Sequence, residues 1–339
     1  MQPDISRITI DNNEERIIDL LKDLVFNPRI KALSWSDVTK QTPSLKIGYP
    51  GQHLASLIMG MEGERTAARG NDICDGTEIK ACNRVDQLDK CKDCGGKVMR
   101  IETLCPDCGS QNIKRAKDSK WLFGIKNDDE LDVLTVQTNR IFLVLFDYPN
   151  FDENDFNTIQ IQAFEIWNNS PRGSKFKELM EYYYNNIYLY HIENNPNKTP
   201  APYNFWPDLF PFYQCNPIKV FDCTVNNANI NPNFNINTFI RPDMDRNTLS
   251  SLIAPVSMLH ANELRELEQA SDTVIADNLK SEYTIEDFKE SFTITNDRNF
   301  KAQMIKLLTG INEDLREYIS LRQMNDPRIT GTQRRGNRN

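Results

Sequence analysis

Two cysteine pairs constrain this chain before any periodicity is considered. Cys91-Lys-Asp-Cys94-Gly95 and Cys105-Pro-Asp-Cys108-Gly109 repeat one CxxCG form, with ten residues between them. Zn²⁺ takes four thiolates in a tetrahedron, and each CxxCG turn supplies two of them from one tight loop. Glycine after the second cysteine lets backbone amides approach the sulfurs. A redox site needs only one CxxC, and chance does not repeat the same knuckle. Four protein ligands leave no open position, so Zn²⁺ on Cys91, Cys94, Cys105 and Cys108 is structural and not catalytic. Cys74, Cys82, Cys215 and Cys223 are scattered and read as buried packing residues.

The paired cysteines resemble a zinc ribbon, with Lys97–Thr103 expected as a small hairpin between the knuckles. Such a ribbon either contacts DNA or staples an insertion. Charge bears on the choice without settling it. The net charge of −8 argues mildly against nucleic acid, but binding depends on where the cations sit. Residues 80–126 carry eleven Lys/Arg against six Asp/Glu, and the last twelve residues carry four Arg and no acid. Both segments are candidates for phosphate contact; the tail reads equally well as a solvated end. Four thiolates and one Zn²⁺ add about −2, which trims the basic excess of the ribbon segment without reversing it.

Apolar residues make up 39% of the 339 and charged residues 26%, which is a folded composition. The longest strong apolar run, Ile141–Phe146, is a buried strand and too short for a membrane span. The N-terminus has no basic region followed by an apolar stretch, so a soluble cytoplasmic protein with no membrane partner is expected. Helical periodicity covers residues 13–33, with Ile17, Ile18, Leu20, Leu21 and Leu24 on one side and Pro28 interrupting it. A second helix is expected over Tyr49–Gly63, two short strands around the turn pair Asp75-Gly76, strands at Ile141–Tyr148 and Thr158–Trp167, and a helix over Gly173–Ile192. Residues 194–242 are rich in Asn and Pro, with one strand expected at Ile218–Val225, and 250–322 read as helical. This order fits an α+β (mixed α/β) protein.

The turn pair lies in the stretch GNDICDGTEIKAC, Gly70–Cys82. Side chains alternate along a strand, so Glu78 and Lys80 share a face while Ile79 points the other way. Where Asp72 falls depends on the loop. A two-residue turn puts Asp72 opposite Ile79. A three-residue loop with Gly76 in the left-handed position puts Ile73 opposite Thr77 and Asp72 opposite Glu78. The second register gathers both isoleucines on one core face and is the one expected. Asp75 is then a turn residue. Two carboxylates make a hard oxygen site suited to Mg²⁺, and a lysine two residues on can orient or help deprotonate a water. That chemistry suits phosphodiester hydrolysis. Glu62 and Glu64, just beyond the preceding helix, are candidates for a third acid or simply a solvated helix end.

The pattern Asp72, Glu78, Lys80, preceded by Arg69-Gly70 and followed by a basic ribbon, resembles the PD-(D/E)xK nuclease superfamily. RGNDICDGTEIKAC with DKCKDCG, LCPDCGS and DSKWLFGI resembles the MamI-type restriction endonucleases within it. The likeness is firmest over residues 47–126. It implies a type II restriction endonuclease: Mg²⁺-dependent cleavage of double-stranded DNA by a PD-(D/E)xK nuclease core with an inserted zinc ribbon, acting as a homodimer on a palindromic site, continuous or interrupted. Asn71 stands where the superfamily pattern has a proline before the first acid. The organisation implied is an N-terminal helical region (1–46), a catalytic core (47–192) with the ribbon at 88–112, a DNA-contacting region (193–249) and a helical C-terminal region with a basic tail (250–339). No nucleotide-binding glycine loop is encoded, so a protective methyltransferase would be a separate protein.

Two other readings fit the same residues. A repair nickase or junction nuclease with this core would cut one strand or branched DNA. A zinc-ribbon regulator of nucleic acid would bind without cleaving. His53 is near the proposed site and could touch phosphate, although a core or surface role is the plainer reading.

Overall fold

The computed structural model describes residues 1–11, 14–43, 46–65, 71–170 and 172–322. Arg69-Gly70 and the basic tail lie outside the described residues. The elements in chain order are α1 (Glu14–Leu21), α2 (Asn27–Thr39), α3 (Gly48–Met59), β1 (Glu78–Asn83), β2 (Asp89–Cys91), β3 (Lys97–Val98), β4 (Ile113–Lys114), β5 (Trp121–Phe123), α4 (Asp128–Asp132), β6 (Arg140–Asp147) and β7 (Ile159–Trp167). There follow α5 (Phe176–Tyr183), α6 (Leu189–Asn194), β8 (Tyr203–Phe205), α7 (Phe210–Gln214), β9 (Ile218–Asn226), β10 (Asn233–Phe239), α8 (Ala261–Glu266), α9 (Asp272–Ala276), α10 (Ile285–Ser291), α11 (Asp297–Leu307) and α12 (Glu313–Arg316). No helix among the described residues is long and apolar enough to cross a membrane.

The apolar run at Ile141–Phe146 has no polar face to offer water, and it becomes an inner strand. The main sheet has the order β1-β6-β7-β9-β10. β1 runs parallel to β6, from Glu78 opposite Ile141 to Asn83 opposite Phe146, and the other neighbours are antiparallel. Parallel neighbours need a long crossover. Residues 84–139 supply it, and they carry the ribbon strands β2 to β4, β5 and α4. On one sheet face Ile79, Phe142 and Val144 pack with Ile17, Leu21, Leu54 and Ile58 of α1 and α3. On the other, Leu143, Leu145 and Phe164 pack with Trp121, Phe123, Phe176 and Phe212. The C-terminal helices enclose a third cluster together with Phe210 of α7. The mixed α+β expectation is met.

Several local expectations need correction. Residues 14–39 form a nearly continuous helical path, and Pro28 does not break it. A wide turn at Lys22–Phe26, in which Asn27 N donates to Lys22 O, absorbs the proline, and Pro28 sits in the first turn of α2 where no donor is needed. That turn also rotates Leu24 out to solvent, while Val25 and Phe26 are buried. α3 stops at Met59, capped by Gly60 at φ 64°, and does not reach Gly63. The helix expected at 173–192 is divided by a second wide turn at Tyr184–Tyr188. The Asn-rich region contributes a strand the sequence reading missed. In β10, Phe234 and Ile236 lean on the core beside exposed Asn233, Asn235 and Asn237.

One buried ion network ties these parts together. Glu165 on β7 is fully buried and lies between Arg140 Nη1 at 3.0 Å and Arg246 Nε at 3.0 Å. Trp167 Nε1 also donates to it at 2.9 Å. Burial alone would raise the Glu165 pKa, but the two guanidinium groups more than offset it and hold it below the ordinary glutamate value. Arg140 also donates to Thr77 Oγ1 at 3.0 Å and to Asp75 Oδ2 at 2.5 Å. Removing one partner from such a set leaves an unpaired buried charge. Arg140→Ala is therefore predicted to lower the unfolding free energy by about 3–5 kcal/mol in urea titrations. A loss below about 1 kcal/mol would mean the network is not structural.

Candidate active site

Gly76 sets the geometry of the acidic stretch. Its φ is +88°, a conformation that other residues rarely adopt. Gly76 N donates to Ile73 O at 3.0 Å and Ile73 N donates to Thr77 O at 3.2 Å. This is the three-residue loop, with Ile73 facing Thr77, and Asp75 serves as the turn residue held by Arg140. Ile73, Thr77 and Ile79 are all buried, while Asp72, Glu78 and Lys80 are half-exposed together. The expected sorting of faces is met. The expected pair of strands is not, because only Glu78–Asn83 is a strand. Ile73 instead forms an isolated antiparallel bridge with Gly63. The chain before Asp75 is satisfied by residues 62–64 and has no need of a ladder with β1.

That bridge places the two outlying acids. Glu64 N donates to Asp72 O at 2.9 Å, and Cys74 N donates to Glu62 O at 3.1 Å. Glu64 therefore stands opposite Asp72, and Glu62 stands opposite Cys74. Both are exposed.

Both oxygens of the Asp72 carboxylate are engaged. Oδ2 accepts from Ile79 N at 2.8 Å, and Oδ1 accepts from Gln52 Nε2 at 2.7 Å. Gln52 comes from α3, and the sequence reading gave it no role. α3 is held close to β1 because Gly51 packs on Ala81: a Cβ on Gly51 would lie 2.7 Å from Ala81 Cβ. His53 is exposed on α3 and makes an edge contact with the Tyr49 ring at 4.7 Å. It is a surface residue.

Glu78 accepts a hydrogen bond from Lys80 Nζ, and that ammonium lies 5.9 Å from the Phe123 ring centroid. Burial raises the Glu78 pKa, the Lys80 charge lowers it, and the negative charge of Asp72 raises it further, leaving it above the ordinary value. The donor set thus holds more negative charge than its own lysine balances, and a divalent cation between hard oxygens fits it.

The ribbon is a separate centre. The four cysteine sulfurs lie within 4.8 Å of one another, with Cys91 and Cys108 3.7 Å apart and Cys94 and Cys105 3.5 Å apart. Tetrahedral Zn²⁺ with bonds of about 2.3 Å needs sulfurs about 3.8 Å apart, so the thiols fit the ion. Gly96 N approaches Cys94 Sγ at 3.4 Å, as a CxxCG knuckle requires.

The hairpin expected inside Lys97–Thr103 does not form. β3 pairs back on β2 around the first knuckle, and the chain then turns at Met99–Glu102. Arg100 draws it inward, bonding the buried Asp89 at 3.0 Å, and Arg115 joins the same carboxylate at 2.8 Å. Arg84 is buried against Asp147 and Asp208. Three of the cations counted in residues 80–126 are thus committed to structure. Lys90, Lys92, Lys97, Lys114 and Lys126 remain exposed.

Two predictions follow from this geometry. A carboxyl with a raised pKa in the fold favours folding while protonated, and that contribution is lost as pH rises through the folded pKa. Glu78→Gln should therefore raise the melting temperature of the Mg²⁺-free protein at pH 7, with the gain disappearing as pH falls below the glutamate range. A lower melting temperature at pH 7 would mean that the Lys80 pair outweighs burial. Metal analysis of the purified chain should give about one zinc per chain, lost in Cys91→Ser. Finding none in the wild type would remove the ribbon assignment.

The family described as MamI restriction endonuclease matches residues 34–257, from within α2 through the whole main sheet to just before α8. The type II restriction enzyme MamI of Microbacterium ammoniaphilum is 29% identical over 80 residues, 23% of this chain and 26% of that protein. The alignment spans about a quarter of that relative's length. No solved structure matches the chain.

Proposed function

This chain belongs to the MamI restriction endonuclease family, and from that premise we propose that it is a type II restriction endonuclease with a PD-(D/E)xK core. It hydrolyses phosphodiester bonds of double-stranded DNA at a specific sequence, with Mg²⁺ held by Asp72 and Glu78. The observation that carries this reading is the convergence at the start of β1. There Asp72, locked by Gln52 and the Ile79 amide, meets the Glu78–Lys80 pair on the open face.

Each residue has a role in the reaction. In the net hydrolysis water adds to phosphorus and one P–O ester bond breaks, leaving a phosphate end and a hydroxyl end. Mg²⁺, when bound, neutralises charge on the phosphate oxygens and makes water more acidic. Gln52 and the Ile79 amide fix the Asp72 rotamer, so that carboxylate is set before DNA arrives. Lys80 balances part of the negative charge and orients the attacking water. Glu64, opposite Asp72 on the bridge, is the candidate third acid, but among the described residues its carboxylate does not gather with those of Asp72 and Glu78. Glu62, opposite Cys74, is a solvated residue. Zn²⁺ on the four cysteines is structural: the ribbon leaves the C-terminal end of β1, whereas Glu78 begins that strand, about 17 Å away by strand rise.

The family reading extends to a cytoplasmic homodimer acting on a palindromic site, with a separate methyltransferase protecting host DNA. In a plasmid assay with Mg²⁺, Asp72→Ala and Lys80→Ala are predicted to lower the cleavage rate by about 10²–10⁴-fold while duplex binding is retained. Equal rates for wild type and variants would contradict the assignment. Nicks without double-strand breaks would point instead to a repair nickase.

A further inference from the structure

The C-terminal helices begin after residue 257, where the family match ends, and nothing in the active site uses them. α10 is opened by a capping box. Thr284 N donates to Asp287 Oδ2 at 2.8 Å, and Asp287 N donates to Thr284 Oγ1 at 3.2 Å. Five residues, Phe292–Asn296, separate α10 from α11. Asn296 caps α11 by accepting from Asn299 N at 3.1 Å.

Packing fixes the two helices against each other. The Phe292 ring lies 5.2 Å from Phe288 and 5.4 Å from Phe300, so it joins α10 to α11. Arg265, on α8, sits 4.2 Å over the Phe300 ring and donates to Ile294 O at 3.0 Å. α8 thus braces the turn. Bridges at Leu279–Leu308 and Ala254–Ile311 tether the chain on either side. A bracing helix earlier in the chain, then helix, short turn and helix, is the arrangement of a helix-turn-helix module, here with α9 between α8 and α10 and with a turn slightly longer than the usual roughly three to four residues.

The outer face of α11 has the composition for such a module's reading helix. Phe300, Met304 and Leu307 are buried. On a 3.6-residue period Arg298, Ala302 and Ile305 fall opposite them, and all three are exposed. Lys301 flanks the stripe. Among the described residues neither Arg298 nor Lys301 is ion-paired, while the helix's own acid, Asp297, is paired with Arg265 at 3.1 Å. An unpaired arginine beside small and branched apolar groups matches a guanine edge and thymine methyls, and a flanking lysine matches phosphate. Arg298 and Lys301 are the cations this face offers, while the exposed acids Glu286 and Glu290 lie on α10.

We propose that α11 is a second DNA-reading element that enters the major groove of the duplex, with Arg298 and the Ala302–Ile305 stripe against base edges and Lys301 on the backbone. This rests on duplex DNA being the substrate, as argued above.

The test uses the full chain carrying Asp72→Ala, so that binding is read without cleavage, and a pool of random-sequence duplexes. Lys301→Ala should weaken binding across all sequences and reduce the slope of log K against log salt by about one. Arg298→Ala should weaken the enriched sequences about tenfold and relax preference at one position. Ala302→Glu, at a solvent-facing helix position, should abolish enrichment with the melting temperature unchanged. Wild-type affinity, salt slope and enrichment in all three variants would overturn the inference. So would altered oligomeric state at unchanged DNA affinity, which would make α11 a surface for a second copy. A chain that binds duplex through α11 but does not cut in Mg²⁺ would refute the catalytic reading alone. A chain that cuts while the α11 variants bind as wild type would refute this inference alone.

Discussion

The buried guanidinium of Arg140 joins the sheet to the turn on which the site depends. Glu165 holds it from β7, Asp75 and Thr77 hold it from the loop of the candidate site, and Arg246 balances Glu165 from the far side. None of the charged members can leave without stranding a charge in a low-dielectric interior. The loop is therefore fixed to the first residue of β6, the strand that β1 pairs with. Gly76 supplies the backbone conformation and Asp75 supplies the anchor. Together they fix Ile73 opposite Thr77, which brings Asp72 to the Ile79 amide at the start of β1.

The second constraint comes from the other face. α3 approaches β1 with only Gly51 and Ala81 between them, and that approach delivers Gln52 to Asp72. One carboxylate is thus fixed by a strand amide and a helix amide while its neighbour, Glu78, keeps a lysine. The arrangement gives a rigid acid, a second acid whose ionisation burial and repulsion oppose, and a nearby cation. Charge of that kind, concentrated at a half-exposed strand edge, contributes nothing evident to folding and is what cation-assisted phosphate chemistry needs.

Short-range features were readable from the sequence. The four cysteines declare themselves by spacing. The loop register follows from Ile73 and Ile79 needing one core face and from Gly76 accepting positive φ. What was not readable was set by distant partners. Nothing local to Arg140 announces Glu165, and nothing local to Gln52 announces Asp72. The parallel pairing of β1 with β6 depends on a crossover of more than fifty residues. Counting Lys and Arg in 80–126 overstated the surface charge, because Arg84, Arg100 and Arg115 face buried or partly buried carboxylates. β10 did carry a signal, the alternation of Asn with Phe and Ile at 233–237, but the Asn content of the region obscured it. α11 likewise shows its apolar spacing at Phe300, Met304 and Leu307, yet its pairing with α10 emerges only from Phe292 and Arg265.

The proposed reaction requires Asp72 and Glu78 to form one cation site. Anomalous diffraction from crystals soaked in Mn²⁺, a spectroscopically visible stand-in for Mg²⁺, tests that directly. The expected result is a peak shared by the Asp72 and Glu78 carboxylates, separate from the zinc peak at the four cysteines. A fully occupied Mn²⁺ peak elsewhere, with none between those two carboxylates, would contradict it.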